Sequence, residues 1–201
     1  MRRSTSHHQP LTLYQPAYEH DACGMGFVAS IDGLPSHQIL QWGVGCVCNV
    51  THRGALSADA KTGDGAGILT NLPHRLLANM LMQLRASPVA PGDLAVGVVF
   101  FPQDRAIRAK AEAMVEREIR ARRITLVGWR DVPVNPSVLG DQALQTLPVI
   151  RQVLMARSAS MAPGDFERML FLARRRIERA WEQEGLTGCY IPSFSSKTTV
   201  Y

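Results

Sequence analysis

A single cysteine at the head of a short run of small and apolar residues constrains this chain more than any other feature of its sequence. The run extends from Cys23 to Ile31. A continuous apolar run of this length is typical of a buried strand, so the sequence predicts a strand that begins with a thiol. Judged by residue type alone, Cys23 would be a small buried apolar side chain.

Cleavage of the chain before Cys23 would place the thiol and a free α-amine on one residue. The α-amine has a reference pKa of about 7.7 to 8.0, so near neutral pH part of it is unprotonated and can accept the thiol proton. Such a residue is a compact nucleophile that requires no histidine. A catalytic interpretation of Cys23 therefore stands beside the structural one.

The 22 residues that precede Cys23 read as a short propeptide-like segment. Residues 1–10 are mostly polar, and residues 19–22 are mostly charged. A secretory signal would need an apolar stretch of about 7 to 15 residues, and this segment contains none. The other interpretation is a tail that stays attached to the protein.

The composition is that of one soluble globular domain, with 201 residues of which 46% are apolar. The longest apolar runs, such as residues 94–101, are far shorter than the roughly 18 residues of a membrane span. Four cysteines without a secretory signal indicate reduced thiols and a cytoplasmic protein. The net charge of +5 comes largely from arginine clusters, which predict solvated helix faces rather than a nucleic-acid partner.

Hydrophobic periodicity predicts intermixed helices and strands. Helices are expected from Ser36 to Val50, after Pro73, and over 106–122 and 166–183, the last with Asp165 as its cap. Each predicted helix has one apolar stripe, formed in chain order by Ile39, Leu40, Val44 and Val47; by Leu77, Met80, Leu81 and Leu84; by Ile107, Ala111, Met114, Val115 and Ile119; and by Phe166, Leu170, Ala173, Ile177 and Trp181. Strands are expected at 68–70, 95–101, 124–129 and 198–201. Gly43 and Gly45 in the first helix predict close packing against the sheet. Because the final strand pattern has no turn after it, we expect the chain to stop inside a domain.

A second group of residues with chemical potential spans positions 51–69. Arg53 could present a guanidinium to a carboxylate, or it could bond the last carbonyls of a helix. Further on, Gly63, Gly65 and Gly67 alternate with other residues and let the backbone approach something small. A dinucleotide fingerprint would need G-x-G-x-x-G after a strand, whereas this pattern precedes one.

The remaining cysteines predict structural roles. Cys46 and Cys48 have C-x-C spacing, but no second Cys/His pair lies at zinc spacing, so two small helix residues are expected and no metal site. Cys189 is expected in the core.

With these residues in view, the sequence resembles the amino-terminal glutamine amidotransferase domain of glutamate synthase large subunits, within the class II (N-terminal nucleophile) amidotransferases. The matching stretches are, in chain order, Leu13 to Ala29, His52-Arg53-Gly54-Ala55, Lys61 to Ile68, Gly128 to Val134, Phe166-Glu167-Arg168 and Tyr190 to Thr198. Ordered matches over nearly the whole chain make the resemblance specific. A short sequence ahead of the nucleophile is also what this family makes and removes.

The resemblance implies an α+β fold, the four-layer αββα sandwich of the Ntn hydrolases. Residues 1–22 would be the propeptide-like segment, and residues 23–201 a partial amidotransferase domain. Cys23 would become the mature amino terminus and attack the side-chain amide of L-glutamine, releasing ammonia and then glutamate. Substrate binding or bracing of the site would fall to Arg53, Gly24, Asp64 and Gly65.

The resemblance also implies partners and cofactors outside this chain. In the family, the ammonia adds to 2-oxoglutarate, and the imine is reduced at a flavin beside an iron-sulfur cluster. FMN and the cluster are therefore expected in downstream domains, since four scattered cysteines provide no cluster motif here. The expected partners are the remainder of the large subunit and an electron-donating small subunit, with no nucleic acid and no membrane.

Two stretches of the family have no counterpart in the chain. One is an Arg-Phe-Ser-Thr stretch whose arginine grips the glutamine carboxylate, and the other is a His-Asn-Gly-Glu stretch that forms the oxyanion hole. The chain contains no Asn-Gly dipeptide. We therefore expect a fragment with little glutaminase turnover of its own. The alternative is a non-catalytic or regulatory module that binds a partner through an unpaired edge.

Overall fold

The computed structural model describes residues 24–50, 59, 61–63 and 65–201. Over these residues the chain forms five α-helices and six strands. They are, in order, α1 (His37–Asn49), β1 (Leu69–Asn71), α2 (His74–Gln83), β2 (Leu94–Phe101), α3 (Arg105–Ala121), β3 (Thr125–Asp131), α4 (Asp141–Gln145), β4 (Val149–Ala156), α5 (Pro163–Gln183), β5 (Tyr190–Ser195) and β6 (Thr198–Val200).

Four of the strands form an antiparallel sheet in the order β3-β4-β2-β5. The central strand β2 is rich in Val and Phe, and it is followed by Pro102, which has no N–H to donate to a ladder. Pro192 lies in β5, where an edge strand tolerates proline. The pairing of β2 with β5 shifts register between Val98 and Phe100, close to that proline.

The main hydrophobic core lies between this sheet and the helices α3 and α5. The α5 stripe predicted from periodicity is confirmed, since all five of its residues are buried: Phe166, Leu170, Ala173, Ile177 and Trp181. The α3 stripe is confirmed at Ala111, Met114, Val115 and Ile119. Its first predicted member, Ile107, is instead 38% exposed, because it lies in the first turn of the helix.

A smaller core lies around α2 and the strands β2 and β4. Leu77, Met80 and Leu81 of α2 are buried together with Leu94, Val96 and Leu154. Leu84 was predicted to continue the α2 stripe, but α2 ends before it and its side chain is exposed.

Strands β1 and β6 form a second, two-stranded antiparallel sheet. The ladder continues one residue further, because Ile68 and Tyr201 exchange two backbone hydrogen bonds of 2.9 Å. In β6, Thr199 is buried, and the Val200 N–H donates to the Ser193 hydroxyl of β5 at 3.2 Å. The described residues thus form a mixed arrangement of helices and antiparallel sheets.

The strand predicted from Cys23 to Ile31 is wrong over its described part. Residues 24–30 form no strand, and the side chains of Met25 and Phe27 are 92% and 93% exposed. A strand needs a hydrogen-bonded neighbour and a surface to cover its apolar side, and no described strand pairs with this segment. Cys23 itself lies outside the described residues.

Helix α1 begins as predicted, with the Ser36 hydroxyl accepting a hydrogen bond from the Gln38 N–H at 3.1 Å. Its predicted apolar face is not buried, since Leu40 and Val44 are 40% and 47% exposed. Close packing is confirmed at Gly43, where a Cβ would lie 3.0 Å from Ile68 Cδ1. At Gly45, no described residue lies within 4 Å of an added Cβ, so the described part of the chain does not show the same packing there.

Helix α5 begins three residues earlier than predicted. Its first residue is Pro163, whose fixed φ suits the first helical position, so Asp165 lies within the first turn and is not the cap. Within the described ranges, no helix combines the length and the apolar character that a membrane crossing requires.

Candidate active site

Gly24 and Gly65 are the two predicted site residues that the structure describes. Cys23, Arg53 and Asp64 lie outside the described residues. Gly24 and Gly65 are both exposed. The geometry therefore bears mainly on the segment that contains Gly65, which we call the glycine loop and define as Thr62, Gly63 and residues 65–68.

Two glycines of this loop are needed for different reasons. Gly65 has a φ of +86°, a left-handed conformation that strains any residue with a Cβ. Gly67 lies against the end of β6, where an added Cβ would come within 3.3 Å of the Tyr201 carbonyl oxygen. The first glycine permits a turn, and the second permits a close approach between two backbones.

Asp59 anchors the amino-terminal side of the glycine loop. One carboxylate oxygen accepts hydrogen bonds from the backbone N–H groups of Lys61 at 3.0 Å and Thr62 at 2.7 Å. The other oxygen accepts a 2.5 Å hydrogen bond from the Thr62 hydroxyl. The Thr62 hydroxyl, followed by these backbone donors, lowers the pKa of Asp59 to about 2.

The same carboxylate joins the loop to the start of α4. The backbone N–H of Gln142, in α4, also contributes to lowering the pKa of Asp59. A Cβ on Gly140 would collide with the Asp59 carboxylate and the Thr62 hydroxyl. Gly140 therefore leaves room for the loop to lie against α4.

Strand β6 holds the carboxyl-terminal side of the glycine loop, because β1 follows the loop directly. The Ile68 N–H donates to the Tyr201 carbonyl, and the Tyr201 N–H donates back to Ile68. At the other end of β1, the Leu72 N–H donates to the Lys197 carbonyl at 3.0 Å. Both ends of β1 are thus tied to the segment 197–201.

Glu167 of α5 holds the turn between β5 and β6. Glu167 Oε1 accepts a hydrogen bond from the Ser195 hydroxyl at 2.5 Å. Glu167 Oε2 accepts from the Ser196 N–H at 2.9 Å and from the Ser196 hydroxyl at 2.6 Å. A long-range contact thereby fixes the segment that pairs with β1.

Sequence reasoning did not assign roles to Asp59, Gly140 or Glu167. The Asp-x-x-Thr spacing of Asp59 and Thr62 was a usable signal, because short polar side chains of this kind bond the backbone two or three residues ahead. Glu167 offered no comparable signal, since its partners lie 28 and 29 residues further along the chain.

The described cysteines do not form a donor set for a metal or cluster. Cys46 and Cys48 are on α1, and Cys189 precedes β5; all three are free thiols. Among the described ranges, no three residues drawn from His, Cys, Asp and Glu come together as a metal site would require.

The sequence profile of the family described as glutamine amidotransferases class-II matches residues 23–201. The chain belongs to this family. The match begins at Cys23, the residue whose thiol heads the matched segment. The family assignment agrees with the mixture of helices and antiparallel sheets seen in the structure.

Curated relatives of the chain are glutamate synthases. It is 40% identical to ferredoxin-dependent glutamate synthase 2 of Synechocystis sp. over 98% of its length. It is 38% and 36% identical to the large chains of glutamate synthase [NADPH] from Azospirillum brasilense and Bacillus subtilis, each over 94% of its length. The chain spans 12% of the length of each of these relatives. The resemblance to glutamate synthases is confirmed.

Proposed function

We propose that the chain is the glutaminase part of a glutamate synthase, with L-glutamine as its substrate and Cys23 as its nucleophile. The observation that carries this proposal is the family match, which covers residues 23–201 and begins at the cysteine itself. The glutamate synthase relatives, at 36% to 40% identity, support the choice of this synthase over other ammonia-using partners.

The proposed reaction begins after removal of residues 1–22. The free α-amine of Cys23 accepts the thiol proton, and the sulfur bonds to the side-chain amide carbon of glutamine. The carbon–nitrogen bond then breaks, and the nitrogen takes up a proton and leaves as ammonia. Water attacks the resulting thioester, which releases glutamate and restores the thiol.

The glycine loop would brace this site. We assign substrate binding or bracing to Gly24, Arg53, Asp64 and Gly65. The support from the structure is the rigid attachment of the loop, which Asp59 holds on one side and β6 on the other. Groups must be held in a fixed geometry for such a reaction, and a loop tied at both ends loses little freedom when substrate arrives.

The ammonia would pass to a synthase site in another segment of a longer protein. There it would add to 2-oxoglutarate, with reduction at FMN beside an iron-sulfur cluster. The remainder of the large subunit and an electron-donating small subunit are the proposed partners, in the cytoplasm. The layering of α3 and α5 on one sheet, with β1 and β6 as a second sheet, supports the four-layer αββα sandwich as the complete fold.

Intact mass spectrometry of the purified protein tests maturation. We expect loss of the first 22 residues, which leaves Cys23 at the terminus. The variant Cys23→Ala should retain them. Retention of Met1 or Arg2 in the unmodified protein, under conditions where a complete glutamate synthase is processed, would reduce the catalytic interpretation to common ancestry.

A glutamine-like chloroketone tests the nucleophile directly. We expect it to alkylate Cys23 in preference to Cys46, Cys48 and Cys189, as read from peptide masses. Preferential labelling of any other cysteine would overturn the assignment. Because the chain lacks the family's oxyanion-hole and carboxylate-binding stretches, we expect little ammonia release from glutamine by these 201 residues alone.

A further inference from the structure

We propose that Glu167 is a positioning residue that holds β6, and through β6 the strand β1 and the glycine loop, in a fixed position relative to the main sheet. Its bearing on catalysis rests on the glutaminase function proposed above. Glu167 is not among the predicted site residues.

Glu167 is suited to this role because α5 itself is firmly packed. Its neighbour Phe166 and the next residue of the stripe, Leu170, are 1% and 0% exposed in the main core. The Glu167 side chain is half-buried, so its carboxylate starts from a fixed backbone position. Groups that donate hydrogen bonds to this carboxylate are therefore held in a fixed position relative to α5.

Five donors of the turn after β5 point at Glu167 or at Ser195. The Ser195 hydroxyl donates to Glu167 and accepts from the N–H groups of Lys197 at 3.0 Å and Thr198 at 3.3 Å. Ser196 adds its own N–H and hydroxyl as donors to Glu167. Hydrogen bonds to an ionised acceptor are about twice as strong as neutral ones, so the carboxylate orients the whole turn.

The two-stranded sheet needs such an anchor. Strands β1 and β6 each contain three residues, and an isolated two-stranded sheet is at best marginally stable in water. The sheet joins β5 at the turn that Glu167 holds and, further along β6, through the hydrogen bond from the Val200 N–H to the Ser193 hydroxyl. From β6 the constraint passes to β1 through the Leu72–Lys197 and Ile68–Tyr201 backbone pairs.

A matched control lies on the same helix. Glu178 is also a half-buried carboxylate of α5, but it accepts hydrogen bonds from Arg174 at 2.8 Å and Arg175 at 2.6 Å, both on α5. Loss of the Glu178 carboxylate removes a negative charge and side-chain bulk from α5 without touching the turn at residues 195–198.

The experiment measures amide hydrogen exchange in the 201-residue protein and its variants Glu167→Ala, Glu167→Gln and Glu178→Ala. In Glu167→Ala we expect the amides of Ile68, Leu72 and Tyr201 to exchange about tenfold faster or more, because three hydrogen bonds to the turn are lost. Amides of β4 should keep their protection. Glu178→Ala should leave all of these rates unchanged.

Glu167→Gln supplies a partial rescue that a simple packing role would not predict. The amide keeps one acceptor oxygen but presents an NH₂ group to one of the turn's donors, so its exchange rates should fall between those of the unmodified protein and Glu167→Ala. Equal rates in Glu167→Ala and the unmodified protein would overturn the proposal. So would uniform acceleration that includes β4, because this would indicate a general loss of stability.

Chloroketone labelling of Cys23 in the same variants tests whether the loss of the Glu167 hydrogen bonds affects the proposed active site. We expect Glu167→Ala to lower the rate of labelling by chloroketone relative to that by iodoacetamide, while Glu178→Ala does not. An unchanged ratio despite faster exchange would overturn the link to the site. If the unmodified protein itself shows no preference for Cys23, the proposed function fails, and the exchange data still decide the role of Glu167 in holding β6.

Discussion

The Asp59 carboxylate accepts a 2.5 Å hydrogen bond from the Thr62 hydroxyl, and the two side chains together occupy the space beside Gly140. This contact closes one side of the glycine loop, whereas the β1–β6 pairing closes the other. The loop is therefore defined by contacts at its two ends, and its exposed Gly65 turn lies between them.

The first prediction concerns the pH dependence of this contact. The pKa of Asp59 is lowered to about 2 in the folded chain, whereas the pKa of an unperturbed aspartate is about 3.9. A lowered folded pKa means that the contact stabilises the fold fully above pH ~4 and is lost as the pH falls toward ~2. The Thr62 amide resonance should therefore titrate with a midpoint near the folded pKa.

Two variants control this titration. Asp59→Asn should abolish the acid titration of the Thr62 amide, because the titrating group is gone. Asp32→Asn should leave it intact, since Asp32 also has a lowered pKa but bonds to the Ser30 hydroxyl and the Leu34 N–H. A Thr62 titration that persists in Asp59→Asn would show that another group holds the loop.

The second prediction compares two glycines in different surroundings. A Cβ on Gly97, in the centre of β2, would collide with the Phe194 ring and lie 2.7 Å from Val153 Cγ1. Gly97→Ala should therefore lower the free energy of unfolding by about 1 to 3 kcal/mol. Gly45→Ala, in helix α1 with no described residue within 4 Å of the added Cβ, should instead raise it by up to about 1 kcal/mol. Urea unfolding followed by circular dichroism measures both; equal effects would contradict the packing described.

The third prediction tests the charged network that joins α3 to the main sheet. The Arg151 guanidinium donates to Glu112 and Asp131, each at 2.7 Å, and lies 5.2 Å from the centre of the Trp129 ring. Arg151→Ala should lower the free energy of unfolding by about 1 to 3 kcal/mol, because it leaves the Glu112 carboxylate partly buried without this partner.

The exposed pair Arg168–Asp165 provides the matched control for Arg151. A guanidinium nitrogen of Arg168 lies 3.3 Å from a carboxylate oxygen of Asp165, and both side chains are at least half exposed. Arg168→Ala should change the free energy of unfolding by no more than about 1 kcal/mol. An effect as large as that of Arg151→Ala would mean that the loss of arginine charge, and not the network, sets the stability.

Helical periodicity predicted which residues of the amphipathic helices α2, α3 and α5 are buried. All five predicted α5 residues are buried because helix spacing alone decides which side of a long amphipathic helix meets the sheet. The same periodicity predicted the buried residues of α2 and α3, except for Leu84 after the end of α2 and Ile107 in the first turn of α3. The Ser36 cap was predictable because its hydroxyl acts on a backbone N–H only two residues away.

Features that depend on distant partners were not predictable in the same way. Strand β4, in the interior of the sheet, went unpredicted because Arg151 and Gln152 interrupt its apolar pattern; Gln152 is buried and accepts a 2.6 Å hydrogen bond from Arg130. The apolar run after Cys23 had the pattern of a strand but has no described partner strand. Glu167 acts across 28 residues, a separation that no local spacing rule covers.

The fourth prediction concerns the reactivity of the other thiols, with which the labelling rate of Cys23 must be compared. Cys189 packs partly buried against the main core, and burial raises the pKa of its thiol. Because the thiolate is the reacting form, Cys189 should react with iodoacetamide more slowly than the exposed Cys48 at pH 8. Peptide masses after timed alkylation give both rates from one sample. Cys189 reacting as fast as Cys48 would show that the region before β5 opens readily, and after denaturation in urea the two rates should converge.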